Sequence, residues 1–282
     1  MPDLPKWTRL GLIAGGGDLP VEIAHAMVGM NPFIVRVKGF GTDPFDGFDS
    51  VERSIGQIGG IFKALKAAGC DAICFAGYVK RPDIKDLQMD ARGLVLVPKA
   101  LAAGRKGDDA ILRVVIEEFE QAGLAVIGAN EVLKSLAPGA GLLTHTAPSE
   151  SDQADIAKAL ATARHMGEMD IGQAAIVAHG VILAVEAQEG TNAMLERLVE
   201  LPQHLRGTAG ERLGVLAKTP KPIQERRIDL PTIGLETVER CDRAGLAGIA
   251  LEAGGALIVN REAVIAALDV AGMFLLVDEA AP

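Results

Sequence analysis

The stretch Arg9-Leu-Gly-Leu-Ile-Ala-Gly-Gly-Gly-Asp-Leu-Pro20 decides the fold of the first half of the chain. Its apolar beginning predicts a buried strand and its glycines predict a tight turn. Its proline suits the first turn of a helix, where the missing N–H has no partner. A strand–glycine–helix turn directs backbone N–H groups at a phosphate or diphosphate. We therefore expect a nucleotide phosphate to bind at Gly15, Gly16, Gly17 and Asp18. The alternative is a glycine turn that only lets the helix pack.

The dinucleotide fingerprint Gly-x-Gly-x-x-Gly is incomplete in this turn, because Pro20 stands at the third glycine position. The next predicted strand ends in Arg36-Val-Lys38 and offers no acid for a ribose. Tyr78, the single tyrosine, has Pro82 where a Tyr-x-x-x-Lys dehydrogenase pair needs its lysine. The turn therefore favours a mononucleotide over NAD.

Strands and helices alternate along the first half of the chain. Alternation of this kind implies a parallel sheet covered by helices. Beyond the glycine turn, the pattern predicts strands at 33–37, 72–76 and 124–127 and helices at 56–68 and 109–122. We predict an α/β fold with a Rossmann-like N-terminal domain built on a parallel sheet and a mixed α/β (α+β) C-terminal domain. The predicted bounds are 1–137 for the nucleotide-binding domain, 138–150 for a linker and 151–282 for the second domain.

The second half is less regular but contains one clear hairpin signal. Two apolar strands, 174–178 and 181–186, flank the turn His179-Gly180. The remaining predictions are helices at 152–166, from 191, at 235–244 and at 261–268, and strands at 214–217, 248–251, 256–259 and 273–277.

Composition excludes several classes of protein. The 282 residues are 49% hydrophobic with few aromatics, which suits helices packed on buried parallel strands. A net charge of −9 argues against a nucleic-acid-binding protein, whose footprint is a basic surface. Cys70 and Cys74 lie in or beside an apolar strand and are predicted core residues, and no Cys-x-x-Cys pair supports thiolate zinc. Because no signal sequence and no long uncharged apolar run is found, we expect a cytoplasmic protein.

A second stretch, Lys218-Thr-Pro-Lys-Pro-Ile-Gln-Glu-Arg-Arg-Ile-Asp-Leu-Pro-Thr-Ile-Gly234, places four cations within ten residues. Arg and Lys attract phosphate by charge and hydrogen bonding, so we favour an anion site over a solvated charged loop. The prolines argue against a helix and predict a rigid surface loop. Asp229 follows the cations and is a candidate metal ligand or proton acceptor for water.

Further acidic clusters precede predicted helices. Of Asp108 and Asp109, one is explained as a helix N-cap and the other is spare. Glu186-x-x-Glu189-Gly-Thr191 joins a strand to a helix. Thr191 is a predicted N-cap; the functional alternative is that it receives a phosphate beside a carboxylate-held metal.

These segments together resemble one known family, the UDP-2,3-diacylglucosamine pyrophosphatases of the LpxI type in the lipid A pathway. Several spaced blocks in one order are more specific than any single block. The matching blocks cover nearly the whole chain and are Gly11–Gly15 with Leu19-Pro20; Gly77–Pro82; Gly107-Asp108-Asp109; Asp170–Gln173; Glu186 with Glu189–Thr191; Lys218, Lys221 and Gln224; and Arg227-x-Asp229-Leu-Pro231-x-x-Gly234.

The resemblance implies UDP binding in the first domain, lipid-product binding in the second and Mg²⁺-dependent hydrolysis of the diphosphate. The products would be UMP and 2,3-diacylglucosamine 1-phosphate, with water directed at the sugar-side phosphorus. It also implies a glycolipid nucleotide as substrate and peripheral contact with the cytoplasmic face of the inner membrane, and it leaves a homo-oligomer open.

The blocks also define candidate site residues. The catalytic candidates are Asp229, Lys218, Lys221, Arg227 and Gln224, with Asp229 as the candidate metal ligand. The substrate-binding candidates are Gly15, Gly16, Gly17, Asp18, Gly77, Tyr78, Asp108, Asp109, Gln173, Glu189, Gly190 and Thr191. Two other interpretations are a non-catalytic nucleotide-sugar sensor, in which the cationic stretch binds without turnover, and, third in rank, a nicotinamide-dependent oxidoreductase.

Overall fold

The computed structural model describes residues 7–40, 45–79, 87–222 and 224–279, without the side chains of Lys106 and Asp108. The chain divides into two compact units. Unit 1 comprises residues Met1–Lys134 together with Glu225–Ile228, and unit 2 comprises Ser135–Gln224 and Asp229–Pro282. The division into domains at 137, 138 and 150 stays a prediction.

Unit 1 is an α/β unit whose described strands form a five-stranded parallel sheet in the order β3-β2-β1-β4-β5. The predicted parallel sheet wound with helices is thereby confirmed. Strand β3 and helix α3 were not predicted. The elements in chain order are β1 (Leu10–Ala14), α1 (Leu19–Ala26), β2 (Phe33–Val37), β3 (Ser50–Arg53), α2 (Ile58–Ala67), β4 (Ala72–Ala76), α3 (Gly93–Ala103), α4 (Asp108–Gln121), β5 (Ala125–Val126) and α5 (Ala129–Val132).

The glycine turn leaves β1 beside β4, where the strand order reverses, which is where ligands bind in open α/β sheets. Gly15 N donates to Ala76 O at 2.8 Å, and Gly16 N donates to Tyr78 O at 2.9 Å. These two N–H groups are therefore already bonded within the unit. A phosphate at this turn would depend on donors further along it, at Gly17 and Asp18.

The glycines also permit a close approach between the turns that follow β1 and β4. A Cβ atom at Gly77 would lie 2.4 Å from Gly16 O, and the φ angle of Gly77 is +84°. Both the contact and the left-handed backbone exclude a side chain there.

We expect Gly77→Ala to destabilise the protein by about 2 kcal/mol more than Gly123→Ala, in urea denaturation of the full chain. Gly123 has a φ of +83°, but a Cβ atom added there would meet nothing within 4 Å, so it isolates the cost of the backbone angle. An equal loss of stability in the two variants would show that the backbone near Gly77 moves away from the added Cβ atom at little cost.

Unit 2 contains a six-stranded sheet in the order β6-β13-β11-β9-β7-β8. Strands β9, β11 and β13 are parallel, whereas β6, β7 and β8 pair antiparallel, so the predicted mixed character is confirmed. Strands β10 and β12 form a small parallel pair. The elements are β6 (Gly141–Leu142), α6 (Glu150–Glu168), β7 (Ala174–Ala178), β8 (Val181–Val185), α7 (Gly190–Val199), β9 (Val215–Lys218), β10 (Thr232–Ile233), α8 (Leu235–Arg243), β11 (Gly248–Glu252), β12 (Leu257–Ile258), α9 (Arg261–Ala271) and β13 (Phe274–Asp278).

The hairpin of β7 and β8 confirms the prediction from its turn sequence. His179 and Gly180 have φ angles of 49° and 73°, the sign that a two-residue hairpin turn requires. The buried carboxylate of Asp155 on α6 accepts hydrogen bonds from both turn N–H groups, at 2.8 and 2.7 Å. This contact fixes the turn between β7 and β8 against α6.

Cys70 and Cys74 are buried and unpaired, as predicted for core residues. In the described part of the chain, no helix is both long enough and apolar enough to cross a bilayer.

Candidate active site

The functional side chains of unit 2 are organised around the carboxyl end of β9. Lys218, the last residue of β9, lies in register between Ala174 of β7 and Leu251 of β11. Because β9 is a central strand, its terminal side chain enters the interior. The next residue continues this contact, since Thr219 N donates to Gln173 O at 3.0 Å. The loop before β7 is thereby attached to the cationic stretch.

Lys218 is only 4% exposed, and its Nζ donates to Thr232 O at 3.0 Å. Burial lowers the pKa of its ammonium group below the ordinary value, and the charges of Glu186 and Asp229 partly oppose this shift. A charged lysine in this position is costly to the fold and acts electrostatically on the two carboxylates.

Asp229 is half-buried and oriented by Gln224. Gln224 Nε2 donates to Asp229 Oδ2 at 2.5 Å and to Gln173 Oε1 at 3.3 Å. The amide oxygen of the same glutamine accepts from Lys221 N at 2.9 Å, which defines the direction of the amide. The glutamine therefore connects Gln173, Lys221 and Asp229 in one hydrogen-bond network.

Two further carboxylates complete the cluster. Asp170 Oδ1 accepts from Lys221 Nζ at 2.8 Å, and both side chains are partly buried. Glu186, only 6% exposed, accepts from Thr191 Oγ1 at 2.8 Å and from Gln173 N at 3.3 Å. The cluster thus joins the loop before β7, the end of β8, the start of α7 and the segment after β9.

The structure corrects two predictions about these segments. The stretch that begins at Lys218 is not a surface loop at its start, because Thr219 is fully buried and Gln224 is 7% exposed. Thr191 is not an N-cap. Helix α7 begins at Gly190 with Glu189 at its N-cap, and the Thr191 hydroxyl donates to Glu186 instead.

The cations of the stretch have different surroundings. Lys218 is buried, and Lys221 is paired with Asp170. Arg227 belongs to unit 1, where its guanidinium binds Glu225 in a bidentate pair at 2.9 and 3.0 Å and also binds Glu120 at 2.7 Å. The Arg227 hydrogen bonds lower the pKa of Glu225.

The other predicted residues are placed as follows. In unit 1 the Tyr78 ring, largely exposed, covers Gly16 so closely that a Cβ there would lie 2.7 Å from it. Asp109 binds Arg113 Nε and Glu225 N, both at 2.6 Å. The predicted aspartate N-cap is wrong, because α4 begins at Asp108 and its N-cap residue is Gly107, which has no side chain to cap the helix. In unit 2 Glu189 is paired with Arg197 at 2.6 Å and is not part of the network around Asp229.

Comparison with known proteins decides the family. The model of the LpxI N-terminal domain matches residues 9–136, and that of the LpxI C-terminal domain matches residues 139–276. The chain is 54% identical over 270 residues to a protein of Caulobacter vibrioides named UDP-2,3-diacylglucosamine pyrophosphatase LpxI, covering 95% of this chain and 96% of the relative. The chain belongs to the LpxI family. The resemblance read from its blocks is therefore confirmed.

A solved structure described as CobK precorrin-6A reductase matches the LpxI-family chain at 11% identity and a TM-score of 0.36. The match covers 98% of this chain and 89% of the other. Similarity at this level carries no conclusion about activity.

Asp170 and Glu186 belong to the hydrogen-bonded cluster near Asp229 in this LpxI-family chain, and the sequence alone did not select them as candidates. Both residues lie within the matching blocks, but the sequence around a single carboxylate does not show which side chain it binds. The usable signal is positional: Asp170 precedes β7, whose first residue pairs with Lys218, and Glu186 follows β8, whose last residue pairs with Ala175 of β7.

Within the described residues of this chain, no three His, Cys, Asp or Glu side chains are grouped so that they could hold a metal ion. Mg²⁺ commonly uses one or two carboxylates plus substrate phosphates and waters. Asp229 is a partly buried carboxylate of the kind that could supply one such ligand.

Proposed function

We propose that the protein hydrolyses the diphosphate of UDP-2,3-diacylglucosamine to UMP and 2,3-diacylglucosamine 1-phosphate in lipid A synthesis. The observation that carries the proposal is the 54% identity, over nearly the whole of both chains, to the pyrophosphatase of Caulobacter vibrioides. The network around Asp229 agrees with this reaction. A diphosphate ester is anionic, so its hydrolysis needs a positioned water and neutralised charge.

In this proposal Asp229 orients the attacking water or accepts its proton. Gln224 fixes the orientation of the Asp229 carboxylate, and that orientation defines where a water is held. Lys221 is the cation placed to meet a phosphate, because its partly exposed ammonium group is held by Asp170 and can exchange partners. Buried Lys218 stabilises negative charge on Asp229 through the electrostatic interaction between the two groups.

Mg²⁺ would bind the diphosphate with Asp229 as its protein ligand and would withdraw charge from the phosphates. Attack on the sugar-side phosphorus, contact with the cytoplasmic face of the inner membrane and residence in the cytoplasm are parts of the same proposal. Membrane contact is supported by the two acyl chains of the substrate, whereas attack on the sugar-side phosphorus rests on the resemblance to the family.

The test is the release of UMP from UDP-2,3-diacylglucosamine in detergent micelles by the purified full-length protein. We expect release with Mg²⁺, loss on addition of EDTA and recovery with excess Mg²⁺. In water enriched in ¹⁸O, the label is expected in 2,3-diacylglucosamine 1-phosphate and not in UMP. Binding of the substrate without turnover by folded protein would contradict the proposal and favour the sensor. Release that withstands EDTA would contradict the role of Mg²⁺ alone.

A further inference from the structure

Helix α3 of unit 1 carries an outward face that is almost entirely apolar. Val95 is 74% exposed, Leu94 is 60% exposed and Leu101 is 38% exposed. Leu94, Pro98 and Leu101 follow the spacing that places side chains on one side of a helix, and Pro98 is exposed with them. Contiguous exposed apolar surface on a helix is unusual in a protein that only faces water.

The orientation of this helix is fixed by its other side. A Cβ at Gly93 would lie 1.8 Å from Gly56 O, so the first turn is in direct contact with the loop before α2. Asp90 accepts hydrogen bonds from Arg92 N and Gly93 N, and Leu96 is buried. A rotation that hid the apolar face would break these contacts. The outward face is therefore a stable property of unit 1.

The charges of this segment are all of one sign. Residues 92–106 include four cations and no Asp or Glu, in a chain with a net charge of −9. Arg92 stacks on Phe62 and is paired with Glu118. Lys99 Nζ is 4.0 Å from Glu117, and its side chain is 54% exposed. Arg105, just beyond the helix, is exposed.

We propose that the outward face of α3, formed by Leu94, Val95, Pro98 and Leu101, docks on an anionic lipid bilayer. Apolar side chains bordered by Lys and Arg are the combination that binds the headgroup region of such a membrane. A second copy of the chain is the poorer occupant. A two-fold dimer through this face would bring Lys99 and Arg105 of both copies to one interface, to which residues 92–106 contribute no Asp or Glu. The inference rests on the membrane contact in the proposed function and adds the surface that makes it, and its test needs no activity.

The experiment is co-sedimentation of the full-length protein with vesicles. The vesicles contain phosphatidylethanolamine and phosphatidylglycerol in one series and phosphatidylcholine alone in the other. We expect binding to the anionic vesicles that weakens in high salt. The triple variant Leu94→Gln, Val95→Gln, Leu101→Gln is expected to lose at least about tenfold in the partition coefficient. The matched control is Val270→Gln on α9, because Val270 is 91% exposed but lies outside this face; it should bind like the wild type.

Three outcomes would overturn the proposal. In the first, the wild type binds neither kind of vesicle. In the second, the triple variant binds as well as the wild type. In the third, Val270→Gln loses as much binding as the triple variant. Circular dichroism and urea denaturation of each variant, compared with the wild type, test whether the fold of the whole chain is retained. Sedimentation velocity without lipid tests whether this face instead binds a second copy of the chain. A dimer that the triple variant abolishes, without vesicle binding by the wild type, would assign this face to a second copy.

Discussion

Asp229→Asn is expected to lower the rate of UMP release by about 10³-fold at saturating substrate, because the amide can neither accept a proton from water nor bind Mg²⁺ with full charge. The substitution keeps the shape of the side chain. Gln224 Nε2 loses a charged acceptor but retains Gln173 Oε1 as a partner. The loss should therefore fall on kcat with little change in KM, and the urea midpoint should fall slightly, because buried Lys218 loses the charge of Asp229 but keeps that of Glu186. The measurement is steady-state UMP release with purified variant and wild type side by side.

The matched control for this substitution is Asp278→Asn. Asp278 ends β13 of the same unit and is exposed, so the same chemical change should leave UMP release within about twofold of the wild type. If Asp229→Asn retains full activity while the wild type is active, another group supplies the carboxylate role. Glu186 would then be the first candidate.

Lys218→Met is expected to lower UMP release by at least about 100-fold without destabilising the protein, because burial keeps the pKa of the lysine below its ordinary value and the charged form therefore disfavours the fold. The side chain is buried, and Met replaces its volume closely. Glu186 keeps its hydrogen bonds from Thr191 and from the backbone of Gln173, so removing the lysine leaves it with partners. Burial of the Lys218 charge is unfavourable for folding, but the same charge acts on the reacting carboxylate. Removing it is therefore expected to lower activity without lowering stability.

The stability difference between Lys218→Met and the wild type should depend on pH in one direction. Burial holds the pKa of Lys218 below its ordinary 10.5, so between the folded-state pKa and 10.5 the unfolded chain binds more protons than the folded one. The stability of the wild type relative to the variant therefore rises as pH rises through this window, and the advantage of the variant shrinks. Urea denaturation at a series of pH values from about 7 upward measures it.

Lys63→Met, on the exposed side of α2, controls for the loss of a lysine and should change stability by less than about 0.5 kcal/mol. A Lys218→Met protein that is destabilised by several kcal/mol at neutral pH would show instead that the lysine is a structural partner of the carboxylates.

The regular elements could be predicted from sequence because their apolar periodicity agrees with local turn chemistry. The glycine turn before α1 and the His179-Gly180 hairpin are the clearest cases. Helix α3 could not be found in the same way. Pro98 lies inside it and cannot donate to the carbonyl four residues earlier, and its apolar residues surround the helix instead of forming one stripe. Contacts at Gly93 and Asp90 stabilise it, and those depend on tertiary structure.

The candidate site was predicted as a set of blocks but not as a set of contacts. Charge in the sequence suggested one cationic surface, whereas the fold buries Lys218 and pairs Lys221 with Asp170. Whether a lysine at the end of a strand is buried depends on the strand's place in the sheet, and β9 lies in the middle. Sequence spacing carries no information about strand order, so the partner carboxylates could not be named.

The return of Glu225–Ile228 to unit 1 limits how the chain can be recombined. A chimera that exchanges everything after residue 134 between two relatives would import this short segment into a foreign host. The hydrogen bonds of this segment with Asp109 and Glu120 would then connect residues that come from two different relatives. The parts of the chain before and after residue 134 can therefore not be exchanged independently. Substitutions at Asp109 and Glu120 are expected to occur together with substitutions in the segment Glu225–Ile228.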